Sequence, residues 1–261
     1  DNFRLGDIQE LPPHDKLAHM ERWDDFIAAP GITYEIAERH MDAVRSGEEA
    51  NPFYRNEYLF VATGGSTGRR GVFVWDLEFL RQIMCYTYRY LINDEQNNGY
   101  DGPMKMATVE APTLLHGSGY VFPSKPLPEF ELLKLASTDP IPEACAKLND
   151  FQPNYLMAYA SSVAELASAQ LRGQLDIHPR WVCTNSGPQD EDIRQRSMRA
   201  WGVKASNSWG CVEIGQMAIE TESAPEMVIC EDGAVLEVVD KNNNPVDDPR
   251  DAAKLLATNL T

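Results

Sequence analysis

Basic residues are scarce in this chain. Lysine and arginine number 23 against 40 aspartates and glutamates, leaving a net charge of −17. A surface that acidic repels phosphate backbones and anionic lipid, so nucleic acid and membrane are set aside as main partners, and the charge is read as a means of solubility. Cysteine is sparse too: Cys85, Cys145, Cys183, Cys211 and Cys230 are scattered singly, odd in number, with no Cys-x-x-Cys pair. That excludes a disulfide framework and points to reduced thiols in a cytoplasmic protein. The five histidines are as dispersed, with neither His-Glu-x-x-His nor finger spacing, so no zinc site is legible. No apolar run is long enough to span a bilayer, and no secretory signal pattern, internal repeat or low-complexity tract is visible. The sequence starts at Asp1 rather than methionine, and the expectation is a piece of a longer protein.

What is present is a foldable α/β pattern. The chain has 261 residues, of which 43% are apolar, enough for a large core in one domain or two lobes. Leu17, Met20, Trp23 and Ile27 recur at helical spacing, predicting a helix over 15–28, with a second over 33–45. Residues 46–57 read as a loop. Strands at 58–61 and 72–75 flank a glycine-rich stretch, and Asp76 caps a helix expected to end near Asn93. A polar loop is expected over 94–103. Strands at 105–111, 131–136, 154–158, 180–184 and 203–207 then alternate with helices at 139–149, near 162–173 and at 189–201. Ser162 and Glu165 read as a capping box for the middle helix. Residues 114–120 read as a strand-to-helix turn or a short helix. Alternation of this kind implies a mostly parallel sheet flanked by helices. Residues 227–230, 234–239 and 255–260 read as antiparallel strands, a smaller β-rich portion at the C-terminal end. The expected division is 1–218 for the α/β part and 219–261 for the start of the β-rich part.

The chemistry is carried first by "FVATGGSTGRRGVFVWD", Phe60 to Asp76. Glycines let a backbone approach an anion closely, and successive N–H groups can share one concavity. Taken alone, the stretch is balanced between a phosphate cradle and a plain hairpin turn. Gly64 to Gly68 is one residue too short for the kinase P-loop, and no lysine follows. Gly65 directly after Gly64 breaks the dinucleotide fingerprint. Thr63-Gly64-Gly65-Ser66-Thr67-Gly68 begins like the short-chain dehydrogenase loop, but Arg70 occupies the last glycine position. None of the ten tyrosines has the lysine four residues on that those enzymes need.

The same residues resemble the phosphate loop of the acyl-adenylate-forming enzymes, Thr-Ser-Gly-Thr-Thr-Gly-x-Pro-Lys-Gly, in which the loop joins two strands. Here Arg69-Arg70 replaces x-Pro-Lys and is one residue shorter. "NSWGCVEIG", Asn207 to Gly215, resembles the family's Asn-x-Tyr-Gly-x-Thr-Glu, with Val212 at the threonine position. "TNSGPQDEDIRQRSMRAWG", Thr184 to Gly202, resembles the Gly-Ala-Glu-Pro segment and following helix of the phenylacetate–CoA ligase branch. His116-Gly117-Ser118-Gly119-Tyr120 is similar to that branch's His-Gly-x-Gly-Tyr, and "LPPHDKLAHMERWDDF" to its entry helix.

The resemblance implies ATP-dependent activation of a carboxylic acid as an acyl-adenylate, followed by transfer to coenzyme A. By it, Thr63, Gly64, Gly65, Ser66, Thr67 and Gly68 hold ATP phosphates. Ser186, Gly187 and Pro188 pack on one adenine face, while Asn207, Ser208, Trp209 and Gly210 hold the base from the other side. His116, Gly117 and Tyr120 line the acyl pocket, and Glu213 holds Mg²⁺. It also implies a small C-terminal domain beyond Thr261 carrying a lysine for adenylation, so this chain alone is expected not to complete a turnover. A homodimer is admitted. Two alternatives stay open: a non-catalytic nucleotide or acyl binder of the same fold, and an NAD(P)-dependent short-chain dehydrogenase.

Overall fold

The computed structural model describes residues 8, 11–64, 70–98, 102–113, 115–118, 130–221, 224 and 226–260, with backbone alone for 90–98. The chain divides into two compact units. One comprises Asp1–Phe79, Cys211–Met217 and Cys230–Thr261, the other Leu80–Gly210 and Ala218–Ile229.

The first unit opens with helices α1 (Lys16–Glu21), α2 (Trp23–Phe26) and α3 (Tyr34–Ser46). Asp15 caps α1 by accepting from the Ala18 N–H at 2.9 Å. Thr33 caps α3 at 3.3 Å, and Gly47 ends it in the left-handed conformation at φ +81°. Strands β1 (Phe53–Tyr54), β2 (Tyr58–Ala62) and β3 (Val72–Asp76) form an antiparallel sheet in that order. The short β1, inside the expected loop, pairs Phe53 with Leu59. In β2, Leu59, Phe60 and Val61 are all buried, which accounts for a continuous apolar run without alternation. Strands β11 (Ala234–Val239) and β12 (Lys254–Asn259) form an antiparallel ribbon, as expected. Ala234 packs with Ile214 and Met217 in a small apolar cluster.

Helix α4 (Leu77–Asn98) begins at its Asp76 cap, where Oδ1 accepts from the Phe79 N–H at 2.8 Å. It continues past Asn93, the expected end. Asp94 to Asn98 are ordinary helix residues with no glycine or proline among them, so the polar stretch extends the helix instead of breaking it.

The second unit contains most of a seven-stranded sheet in the order β10-β9-β8-β7-β6-β4-β5. Its strands are β4 (Met104–Glu110), β5 (Phe130–Ala136), β6 (Tyr155–Tyr159), β7 (Trp181–Asn185), β8 (Ser206–Cys211), β9 (Gly215–Glu220) and β10 (Met227–Ile229). Strands β5, β4, β6, β7 and β8 pair in parallel. Helices α5 (Ile141–Phe151), α6 (Ala160–Leu171) and α7 (Glu191–Trp201) alternate with them. This is the expected α/β class. β9 was not anticipated. β10 closes the sheet edge antiparallel to β9, with Val228 opposite Ile219.

Ser162 does not cap α6. The helix starts at Ala160 directly from β6, with Tyr159 at the cap and no side-chain cap bond. Ser162 lies within the helix and is 7% exposed. Its face, with Val163 and Leu166, is committed to the core, and that packing overrides the capping pattern. The strand expected at 203–207 begins later, at Ser206, because Gly202 ends α7 at φ +72° and the next residues connect.

One face of the sheet packs Leu148, Leu156, Val163, Leu166 and Val182 into the main cluster, and a second cluster gathers Met106, Tyr155, Met157 and Cys183. Leu156 is fully buried in β6, so Leu156→Ala removes its contacts and leaves a cavity. Stability measured by urea unfolding should fall by about 2–5 kcal/mol. A loss within error would mean this cluster is not the core of the unit.

Candidate functional site

The glycine stretch connects two antiparallel strands. β2 and β3 pair through Ala62 and Val72, and Thr63 closes the base. The Thr63 N–H donates to Gly71 O at 2.9 Å, and the Gly71 N–H donates to Thr63 Oγ1 at 2.9 Å. Gly71 is required there by space. A Cβ would come within 2.8 Å of the Phe73 ring and 2.9 Å of Lys16 Cδ. Gly64 has no neighbour in that direction within 4 Å. Gly65, Ser66, Thr67, Gly68 and Arg69 lie outside the described residues.

Helices α1 and α2 clamp the strand just after the loop. Trp23 Nε1 donates to Val72 O at 2.7 Å, and the Val72 N–H points at Met20 Sδ at 3.3 Å. The His19 ring stacks on Phe73 at 5.1 Å. Burial lowers the His19 pKa, opposed by a Val72 backbone hydrogen bond and by the Glu213 charge. Arg70, the available replacement for the loop lysine, is engaged elsewhere: its guanidinium pairs with Glu38 at 2.6 Å and approaches Met41 Sδ.

Glu213 sits in the turn between β8 and β9, in the same unit as the hairpin. Trp75 Nε1 donates to Val212 O at 2.9 Å, tying β3 to that turn. Asn259 Nδ2 donates to Glu213 O at 3.1 Å, which fixes the backbone while the residue stays exposed. Cys211 beside it is pushed up to about 12, first by burial and then by the Glu213 carboxylate. Among the described residues, no group of three or more His, Cys, Asp or Glu could hold a metal ion. Magnesium is commonly held by one or two carboxylates together with substrate phosphates, so a lone exposed carboxylate meets that requirement.

The remaining candidates belong to the second unit. Asn207 pairs in register with Thr184, whose Oγ1 lies 3.3 Å from Asn207 Oδ1. The Asn207 N–H donates to Glu220 Oε2 at 3.0 Å, and Arg194 grips both Glu220 oxygens at 2.9 and 2.7 Å. This buttress, which no sequence motif marked, holds the start of β8. Trp209 leaves 39% of its surface exposed, and Gly210 is exposed beside the half-buried Ser208. Ser186, at the end of β7, has φ +55°, which is uncommon for a residue other than glycine. Gly187 and Pro188 follow. Gln189 holds this segment to the next strand by donating to Ala205 O and Ser206 O, both at 3.1 Å.

His116 is half-buried, Gly117 is buried, and Tyr120 lies outside the described residues. His116 Nδ1 is 2.9 Å from Ser118 Oγ, and the ring meets Tyr159 edge-on at 6.5 Å. Burial lowers the His116 pKa. Sequence reasoning missed the group beside it. Glu110 ends β4 and is 6% exposed. Asn185 Nδ2 donates to Glu110 Oε1 at 3.3 Å, and Ser118 also hydrogen-bonds that carboxyl. The available signal was an acid closing an otherwise apolar strand, "MKMATVE".

No family model and no curated protein matches the chain. Solved structures do. An open conformation of 2-hydroxyisobutyryl-CoA ligase in complex with 2-HIB-AMP and CoA aligns with TM-score 0.57 at 17% identity, over 77% of this chain and 50% of that one. ATP-bound MatB from Rhodopseudomonas palustris aligns with TM-score 0.55 at 13% identity, over 77% and 39%. The luciferase-like enzyme of the nonluminescent mealworm Zophobas morio aligns with TM-score 0.52 at 12% identity, over 77% and 47%. The chain has the fold of acyl-CoA ligases. It spans half or less of the length of these three solved chains.

In this ligase fold Glu110 is an anomaly that pH can read. Burial raises its pKa from 4.5 to about 7, outweighing the hydrogen bonds from Ser118 and Asn185 and the charge of Lys134. The folded state therefore holds a proton that the unfolded chain releases near 4.5. Stability from this group is fully present below pH 4.5 and lost as pH rises to about 7. The loss is on the order of 3 kcal/mol. Glu110→Gln should flatten the stability profile over that window, measured by urea unfolding at stepped pH. An unchanged slope would show that the carboxyl ionises in a wet environment.

Proposed function

We propose that the chain carries the nucleotide-binding and acyl-binding parts of an ATP-dependent, carboxylate-activating enzyme of the phenylacetate–CoA ligase type. The observation that carries this is the Trp75–Val212 hydrogen bond. It joins the strand leaving the glycine hairpin to the turn bearing Glu213, so two motifs far apart in sequence share one framework. The resemblance in motif order and the ligase fold support it independently.

In this mechanism the acid's carboxylate attacks the α-phosphate of ATP, giving acyl-adenylate and pyrophosphate, and the thiol of coenzyme A then takes the acyl group. The chain's own task is positioning and charge stabilisation. Backbone N–H groups of Gly64 to Gly68, with the hydroxyls of Thr63, Ser66 and Thr67, hold the β- and γ-phosphates. Asn207 hydrogen-bonds the adenine amino group, Trp209 stacks on the ring with Ser208 and Gly210 alongside, and Ser186-Gly187-Pro188 covers its other face. Glu213 would hold Mg²⁺, which would supply positive charge to offset that of the phosphates. His116, Gly117 and Tyr120 line the acyl pocket. The five cysteines, all free, support a cytoplasmic setting. No helix among the described residues is long and apolar enough to cross a membrane.

A second reading has its own observation. Arg70 is committed to Glu38, and Val212 has no hydroxyl, so two groups expected to stabilise the reacting phosphates are missing. That favours a nucleotide or acyl binder without catalysis.

Glu213→Gln separates metal binding from folding. Calorimetric affinity for Mg·ATP should fall at least about tenfold, with the circular dichroism spectrum unchanged. Unchanged affinity would make Glu213 a surface acid. Pyrophosphate release by the complete protein, with a panel of aryl and aliphatic acids, decides between activation and binding alone.

A further inference from the structure

The strand order reverses between β4 and β6. The chain passes from β4 to its neighbour β5, then returns to β6 on the other side of β4 and continues through β7 to β8. Connections leaving the carboxyl ends of β4 and β6 therefore diverge. In open parallel sheets such a switch point opens a crevice at the carboxyl edge, where ligands bind.

The residues at this crevice form one polar row. Tyr159 ends β6 and pairs in register with Asn185 at the end of β7. Glu110 lies one residue beyond the Val109–Ala158 pair, level with Tyr159. Asn185 and Glu110 reach each other across the width of β6. His116 and Ser118 stand beside them, and the Tyr159 hydroxyl is occupied by the Ala111 N–H at 3.0 Å.

One acceptor in this row is left unanswered. Asn185 Oδ1 is buried with no hydrogen-bond partner among the described residues. An ionised carboxylate has about four acceptor positions, and the donors identified on Glu110 are Asn185 and Ser118. Buried acceptors left unpaired are costly, and a ligand that supplies the donors relieves that cost. Glu110 shares its face of β4 with Met104 and Met106, whose cluster is largely apolar, so packing there does not call for a carboxyl.

We propose that Glu110 and Asn185 form a specificity subsite at this switch point, selecting carboxylic acids that carry a hydroxyl or amino group. The subsite rests on the acid-activating function proposed above and names its substrate class. The donor of the acid's polar group points to Glu110 and to Asn185 Oδ1. His116, whose pKa burial lowers, contributes a half-buried ring edge to the same crevice.

The test is calorimetric titration of the full chain with matched acids: benzoate against 4-hydroxybenzoate and 4-aminobenzoate, and hexanoate against 6-hydroxyhexanoate. At pH 8 at least one donor-bearing acid should bind about 10- to 100-fold more tightly than its parent. Glu110→Gln, close in shape, and Asn185→Ala, which leaves the carboxyl alone, should each shrink that preference at least several-fold with circular dichroism unchanged. The groups acting on the Glu110 carboxyl are Ser118, Asn185 and Lys134, and its pKa of about 7 sets the pH dependence. As pH falls from 8 to 6 the carboxyl gains a proton and becomes itself a donor, so the preference should narrow in the wild type and not in Glu110→Gln. Equal binding within every pair, preference retained in both variants, or no binding of any probe overturns the subsite. Pyrophosphate release by the complete protein, followed in parallel with ATP, keeps the two claims apart. Discrimination in binding without pyrophosphate release defeats activation and leaves the subsite. Pyrophosphate release indifferent to the polar group defeats the subsite and leaves activation.

Discussion

The sheet's direction is the constraint on which its chemistry depends. Five strands, β5, β4, β6, β7 and β8, run the same way, so their carboxyl ends lie along one edge. Strands β4, β6 and β7 are largely apolar and buried, and each ends on a polar side chain. Glu110, Tyr159 and Asn185 are those ends and owe their proximity to register pairing, with Asn207 near the start of β8 opposite Thr184. The Arg194–Glu220 pair serves the same edge by fixing the Asn207 backbone. Its carboxylate is enclosed and gripped at both oxygens, a geometry in which an Arg–carboxylate pair orients its neighbours as well as stabilising them.

The other unit anchors the base of its hairpin by different means. A loop with this many glycines is entropically costly to hold. Here its base is fixed from three directions: the reciprocal Thr63–Gly71 bonds across the hairpin, Trp23 on Val72 from the helical side, and Trp75 on Val212 from the turn. Indole N–H groups are donors only, and each finds a backbone carbonyl while its ring stays buried or half-buried. Two tryptophans thus place polar anchors at depths where lysine or arginine would have to be desolvated. The commitment of Arg70 to Glu38 is the counterpart, a charge spent on holding α3 rather than on the loop mouth.

Much of this architecture was legible from periodicity and punctuation. The strands flanking the glycines, the alternation after residue 104 and the ribbon at the end follow from apolar runs bounded by glycine, proline and aspartate. What escaped had a physical cause in each case. Ser162 carries a capping pattern, yet its face is buried, and a pattern of two residues cannot reveal which way a helix turns. Asp94 to Asn98 are polar enough to read as loop, but nothing in them stops a helix already under way. The β9 strand follows a motif whose interest lay in chemistry, which masked its alternation. Glu110 and Asn185 could not be paired from sequence, because 75 positions separate them and only register brings them together. The motif residues on hairpin and strand ends were assigned by their resemblance to a family's motifs in order, not by local geometry. Gly65, Ser66, Thr67, Gly68 and Tyr120 fall outside the described residues, so their roles rest on sequence.

The central claim is that the glycine hairpin and the β8–β9 turn serve one nucleotide. Hydrogen–deuterium exchange of the chain, with and without Mg·ATP, tests it most directly. The account predicts slowed exchange in residues 63–71 and 206–215, with the buried interior of β6 unchanged. Exchange unaffected by Mg·ATP in both segments, or slowed only elsewhere, would contradict it.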